Sequence, residues 1–423
     1  MTHPLGYPAS LQEQRANLLY YDQRLSPDGP AMTHAISAIT VNRIAKSGCS
    51  AFTRQFKAQM PNLRAPWYLM SEQANDDKNS NGGTSPGFPF LTGSGGSMQI
   101  PLFGYAGFFW HNDRLAFRPR LPHPYNYLQP ADFHAQGNRF RTTLNSTHTN
   151  ITRLPAEVPG LFDSFKDRPM TVHVERQNPT TDTIEETLHS IWLNQTITVE
   201  NDMYWRHSTI PNNILQCQAT SSGGKYSSTA PAGAATDGDA GTFWQPPTQN
   251  ASNITVNTSN IPFQRIKQIY IDFGTRTPKH ARVAFTNSTD LASIWEANPI
   301  VLNVTTTDLV DDEVALHPGN TTVLDIPGGV WSGQSAILEI EGCQGCGDLF
   351  PSEKDPTYWQ DDGLGASVAE FAAVGEIGTG IDLANSLEEE TADERQGARG
   401  DVMDAQDAHI SAAAESANSE DVL

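Results

Sequence analysis

The sequence predicts a mixed chain: helices first, then two successive β units, then an acidic tail. Three observations carry this. Apolar residues recur at helical spacing over roughly the first hundred residues. Alternating and β-branched runs take over after Arg114. From Asp382 onward twelve acids stand against two arginines, with few large apolar side chains, too few to offset the entropy of ordering. The expected units are 1–114, 115–202 and 203–378, with a disordered acidic extension over 379–423.

The first unit opens with a helix from Leu11 to Leu25, whose apolar positions Leu11, Leu18, Leu19, Tyr20 and Tyr21 make a broad buried stripe. The turn Ser26-Pro27-Asp28-Gly29-Pro30 breaks it. A second helix follows with Met32, Ile36, Ile39 and Ile44, and a third spans Ser50 to Met60. From Pro61 to Gly93 runs a loop rich in Asn, Gly, Ser, Asp and Pro; structureless loops of that length are uncommon and usually functional or disordered. A last helix, Ser97 to Phe109, is apolar nearly all round through Met98, Ile100, Leu102, Phe103, Tyr105, Phe108 and Phe109. That pattern implies burial on every side. Four helices cannot enclose such an element, so partner helices are expected outside this chain.

In the second unit LAFRPRLP, TVHVERQ, TIEETLHSIWL and TITVEND suggest one small antiparallel sheet. In the third, FQRIKQIYIDFG, ARVAFTNST, PIVLNVTTTD, SAILEIEG and GASVAEFAAVG are spaced as in a sandwich.

The formal net charge of −21 excludes a nucleic-acid partner, since phosphates would repel the chain. No apolar run approaches the ~18 residues of a membrane span. Nine N-x-S/T sequons, at Asn145, Asn150, Asn194, Asn250, Asn253, Asn257, Asn287, Asn303 and Asn320, are either an accident of a Ser- and Thr-rich composition or the sign of a glycosylated secretory-pathway protein, and the expectation is the latter: extracellular, cell wall or vacuole. Met1-Thr2-His3-Pro4 lacks the basic and apolar start of a signal peptide, so that signal is expected upstream of Met1. Cys343 and Cys346 form a C-x-x-C without a second Cys/His pair nearby, which disfavours zinc. A local disulfide, or a bridge from one of them to Cys217, is the expectation. No cofactor or metal is implied.

Three segments carry a family resemblance. YYDQRLSPDGPAMTHAI (20–36), RAPWYLMSEQANDD (64–77) and NGGTSPGFPFLTGSGGSMQIPLFGYAGF (81–108) resemble signature stretches of the fungal acid trehalases, inverting glycoside hydrolases related to kojibiose and maltose phosphorylases. The resemblance implies that the chain begins inside an (α/α)6 catalytic barrel and supplies its last helices. TDGDAGTFWQP and IKQIYIDFGTRTP look like parts of a discoidin or galactose-binding β-sandwich, which implies cell-wall or glycan contact through that unit. The implied substrate is the disaccharide trehalose.

Glycoside hydrolysis needs two carboxyl groups across the scissile bond. The long loop offers Glu72, Asp76 and Asp77 beside Trp67, Tyr68 and Phe88, and rings beside acids on a loop suit sugar faces and hydroxyls. The resemblance places the general base at Glu72 and the general acid upstream of this chain. Trp67, Gln73, Asp28, Thr92 and Gln99 are the candidate substrate contacts, and Glu72 is expected close to Trp67 and the Asp28 turn. Asp28 would repel phosphate and Pro30 lacks a donor for it, which favours water over phosphate as nucleophile. Gly93, Gly95 and Gly96 lack the Lys-Ser/Thr of a phosphate-binding loop, so tight packing or backbone approach to sugar is expected of them. The alternative is a non-catalytic carbohydrate-binding protein that keeps a relic of the barrel.

Overall fold

The computed structural model describes residues 9–22, 29–79, 81, 83–110, 114–135, 137–155, 167–178, 180–223, 229–274, 276–288, 290–296, 299–304, 320–344 and 364–376. Asp28, Cys346 and the acidic tail lie outside these residues.

Three helices open the fold: α1 (Leu11–Asp22), α2 (Met32–Ile44) and α3 (Ser50–Gln59). The central one is α2, with nine of its thirteen residues buried. Its alanines 35 and 38, with Ile39 and Val41, pack against Ala51, Ala58, Ile100 and Tyr105. The buried stripe expected of α1 is not there. None of its apolar side chains is fully buried, and Tyr20 and Tyr21 stand exposed. Only Leu18 joins the α2 cluster, because α2 covers just one side of α1.

The expected long loop contains structure. A hairpin of β1 (Leu63–Arg64) and β2 (Leu69–Met70) occupies its first third. The last helix also begins earlier than expected, as α4 (Leu91–Gln99), and continues as a π-helical turn over Ile100–Tyr105. Pro101 explains the change of register: it has no N–H and its ring crowds the carbonyl four residues back. Burial on all sides is also corrected, since Met98 is 77% exposed. Phe108 and Phe109 leave the helix and enter β3 (Phe108–Trp110). Gly107 makes that exit, with φ +66 and with the Arg118 carbonyl where a Cβ would stand.

After β3 come β4 (Leu115–Phe117), β5 (Tyr127–Leu128), β6 (Phe133–Ala135), β7 (Asn138–Asn145), β8 (His148–Leu154), β9 (Met170–Gln177), β10 (Ile184–Ile191) and β11 (Thr196–Glu200). They form two sheets, in the orders β10-β9-β4-β3 and β11-β8-β7-β5, with β6 also on β7. The single antiparallel sheet expected here is therefore corrected twice: there are two sheets, and β4 pairs with β9 in parallel. One-sided sheets need a second layer to bury their apolar faces. That layer supplies Phe140 and Ile151 against Phe108, Phe117, Val172 and Ile191.

The remaining elements are β12 (Thr220–Ser222), β13 (Ser252–Asn257), β14 (Arg265–Asp272), β15 (His280–Thr286), α5 (Leu291–Glu296), β16 (Ile300–Leu302), β17 (Thr321–Trp331), β18 (Ser335–Glu341) and β19 (Glu370–Gly375). A five-stranded sheet, β12-β13-β18-β15-β16, faces a three-stranded one, β17-β14-β19. Between them lie Trp244, Ile254, Ile269, Phe273, Leu338 and Phe371.

Side chains tie the helices to both β regions. Arg120 donates to the carbonyls of Asn42 and Ala45, to Gln177 Oε1 and to Asp202. Tyr204 Oη donates to Asn42 Oδ1 at 2.8 Å. The buried Arg54 of α3 pairs with Asp22 of α1 and, at 2.7 Å, with Asp239 near the C-terminal sandwich. Beside it Cys49 is disulfide-bonded to Cys217, with Cα atoms 5.9 Å apart. The alternative of a bridge from the C-x-x-C to Cys217 is thereby excluded; Cys343 is itself disulfide-bonded. The sequon asparagine Asn320 is buried, and its side-chain amide donates to the Gly274 carbonyl.

Candidate active site

Glu72 follows directly on β2, where three segments meet. Its carbonyl accepts from Ala31 N at 2.7 Å, just before α2, and its N–H donates to the Gly87 carbonyl at 3.0 Å. Gly87 N–H donates in turn to Glu72 Oε2 at 2.8 Å. Residue 87 suits a glycine, because a Cβ would stand 3.3 Å from that same oxygen. The carboxylate is thus oriented by backbone through one oxygen. Its other oxygen has no hydrogen-bond partner among the described residues.

The loop around Glu72 is held by Arg64. Its guanidinium donates to the carbonyls of Pro61, Gln73 and Ala74, and to Asp76 Oδ2 at 2.5 Å. Ser71 Oγ donates to the other Asp76 oxygen at 2.5 Å. Partial burial pushes the Asp76 carboxyl up, but the bonds from Arg64 and Ser71 and the Arg64 charge outweigh it and hold the group below the usual carboxylate range. Asp76 is therefore spoken for as an anion that fastens the loop.

The other sequence candidates divide. Gln73 is buried and accepts from Asn81 Nδ2 at 3.3 Å and Thr84 Oγ1 at 2.5 Å, so its amide faces the loop interior. Trp67 is 81% exposed at the tip of the β1–β2 hairpin. Thr92 is exposed near the start of α4, and Gln99 is half-buried at its end. Asp28 lies outside the described residues, so its expected proximity to Glu72 goes undescribed. Of the three glycines, two take the packing role. A Cβ at Gly93 would stand 3.0 Å from the Phe90 ring and 3.1 Å from Ala31, and one at Gly96 would stand 3.1 Å from Ala35. Nothing lies within 4 Å of a Cβ at Gly95.

Sequence reasoning missed Arg64 as the organiser of the loop. Its only signal is an arginine that begins a segment ending in two aspartates. Trp67, Tyr68 and Leu69 of the hairpin, Phe88 next to Gly87, and Leu91 and Met98 of α4 are all exposed, while Glu72 is half-buried. A cavity of roughly 280 Å³ lies elsewhere, in the C-terminal sandwich among Phe285, Ile294, Ile300 and Trp331.

No family model matches the chain. Over 399 residues it is 32% identical to an acid trehalase of Emericella nidulans, a match covering 89% of this chain and 36% of that protein. It is 31% identical over 405 residues to a cell wall acid trehalase of Arthroderma benhamiae, covering 88% of this chain and 37% of the relative. The chain thus spans little more than a third of the length of these curated relatives. Among solved structures, chitosan-binding module 1 of a Paenibacillus chitosanase/glucanase is matched at 13% identity and a TM-score of 0.27, over 39% of this chain and 98% of the module.

Proposed function

We propose that this chain, a relative of the fungal acid trehalases, is the general-base portion of an α,α-trehalase, an inverting glycoside hydrolase that cleaves trehalose into two glucose molecules. The observation that carries the reading is the Glu72 carboxylate. One oxygen is fixed by Gly87 N–H, the other is unengaged among the described residues, and the exposed Phe88 follows Gly87 in the chain. In that reading Glu72 takes a proton from water as the water oxygen attacks the anomeric carbon. A carboxylic acid from the upstream part of the enzyme protonates the departing glucosyl oxygen. Inversion requires the two carboxyl groups roughly 6.5–9.5 Å apart, leaving room for the water.

The exposed face of α4 supports the same picture: upstream barrel helices would cover Leu91 and Met98. The sandwich is read as a discoidin-like module that contacts cell-wall glycan. Its cavity beside Trp331, with the Arg265 guanidinium 5.4 Å from the indole centroid, supports that contact. The enzyme is read as a secretory-pathway protein, delivered outside the cell or to the vacuole.

The test is Glu72→Gln in the complete enzyme. Loss of a general base should lower kcat by at least ~10²–10⁴-fold while the melting temperature stays put. Near-normal turnover would remove Glu72 from the mechanism. Residues 1–423 alone should release no glucose from trehalose at acidic pH; turnover that Glu72→Gln abolishes would place the acid within this chain.

A further inference from the structure

Nine sequons look equivalent in sequence, yet the fold sorts them by sheet. In the middle β region Asn145 ends β7, Asn150 lies within β8, and Asn194 occupies the turn before β11. All three are exposed and belong to one sheet, β11-β8-β7-β5. No sequon lies on the opposing sheet, β10-β9-β4-β3.

The C-terminal sandwich repeats the pattern. Asn253 and Asn257 sit four residues apart on β13, so they share its outward face, while Ile254 and Val256 between them point into the core. Asn250 precedes that strand, Asn287 follows β15, and Asn303 follows β16. Asn253 is half-buried and the other four are exposed. All five belong to the five-stranded sheet or its immediate ends. The three-stranded sheet has one sequon at its margin, Asn320 before β17, and that one is buried and bonded to the Gly274 carbonyl.

An N-linked glycan needs its asparagine Nδ2 at the surface with solvent beyond it. Asn150 and Asn287 meet this need while still bonded through the side-chain oxygen: Oδ1 accepts from Thr198 Oγ1 at 2.8 Å and from Gln334 N at 2.9 Å, respectively. Asn320 fails because its Nδ2 is the atom engaged.

We infer that N-glycans coat one sheet of each β region, on the seven exposed asparagines and the half-buried Asn253. The four-stranded and three-stranded sheets stay bare, and Asn320 is a structural residue whose sequon is unused. This goes beyond the catalytic reading and is independent of it; it requires only passage through the secretory pathway.

The experiment imposes that passage. Residues 1–423 are secreted from yeast behind a heterologous signal peptide, treated with peptide-N-glycosidase in heavy-oxygen water, and mapped by peptide mass spectrometry. The label should appear on both β regions at the accessible sites, with Asn320 unlabelled. Two substitutions that spare the asparagines sharpen the result. Thr152→Val should remove one glycan from the intact mass, and Thr322→Val should remove none. Asn320→Gln should lower the melting temperature of the enzymatically deglycosylated protein, whereas Asn150→Gln should leave it unchanged. Labelling of Asn320 in the folded, secreted protein, or loss of a glycan in Thr322→Val, would overturn the inference. So would unlabelled peptides across either β region.

Discussion

The helical region and the C-terminal sandwich both expose large apolar side chains, Trp67 and Leu91 in the one and Phe263 and Trp331 in the other, but the sandwich also encloses large rings between two sheets. In the sandwich Trp244, Phe273 and Phe371 are wholly enclosed between two sheets. In the helical region Trp67, Leu91 and Met98 stand in the open. Contiguous exposed apolar surface on a globular protein marks contact with something else. The sandwich has a core of its own between its sheets; under the proposed function the helical face presents a surface for barrel and substrate. Under that reading the chain holds one core of its own and one that upstream helices complete.

Arg54 is where that contrast can be broken most sharply, because it joins the two regions. Its guanidinium is buried against Asp22 of α1 and Asp239 of the C-terminal region. Arg54→Ala leaves both carboxylates without their cation, and removing one partner of a buried pair costs about 3–5 kcal/mol. Urea unfolding of the purified chain should show that loss. A shift below about 1 kcal/mol would mean that the helical region and the sandwich are not coupled through this residue.

A smaller effect sharpens the packing side of the comparison. Gly93→Ala forces a methyl against Phe90 and Ala31, an overpacking worth about 1–3 kcal/mol of destabilisation. Gly95→Ala, in the same helix with open space around it, should instead stabilise by roughly 0.5–1 kcal/mol through helix propensity. Equal melting shifts for the two variants would refute close α2–α4 packing as the reason for Gly93.

Least of all should Trp67→Ala matter to the fold. An exposed side chain away from special contacts typically changes stability by no more than ~0.5 kcal/mol. In the complete enzyme the same substitution should raise the KM for trehalose, if the ring stacks on sugar. A marked drop in the melting temperature of this chain would instead make Trp67 part of its core.

Much of this was legible from residue order. Helical spacing located α2 and α3, since their buried faces repeat within a few residues. Alternation located β9, β10, β14, β15 and β18 for the same reason. Four strands of the middle region, β5 to β8, escaped notice; the longer two, NRFRTTLN and HTNITRL, are too polar to read as buried. The Glu72 loop stood out through its acids and rings, but Arg64, its organiser, did not.

What residue order determined was local: periodicity, turn chemistry, sequons and a loop of acids beside aromatics. Tertiary structure decided whatever depends on partners far along the chain. Cys49 found Cys217 across 168 residues. Ala116 and Phe117 of β4 paired in parallel with His173 and Val174 of β9. Asn320 bonds through its side-chain amide to a carbonyl 46 residues away. In each case the deciding contact is set by the packing of whole layers, and nothing in the neighbouring residues encodes it.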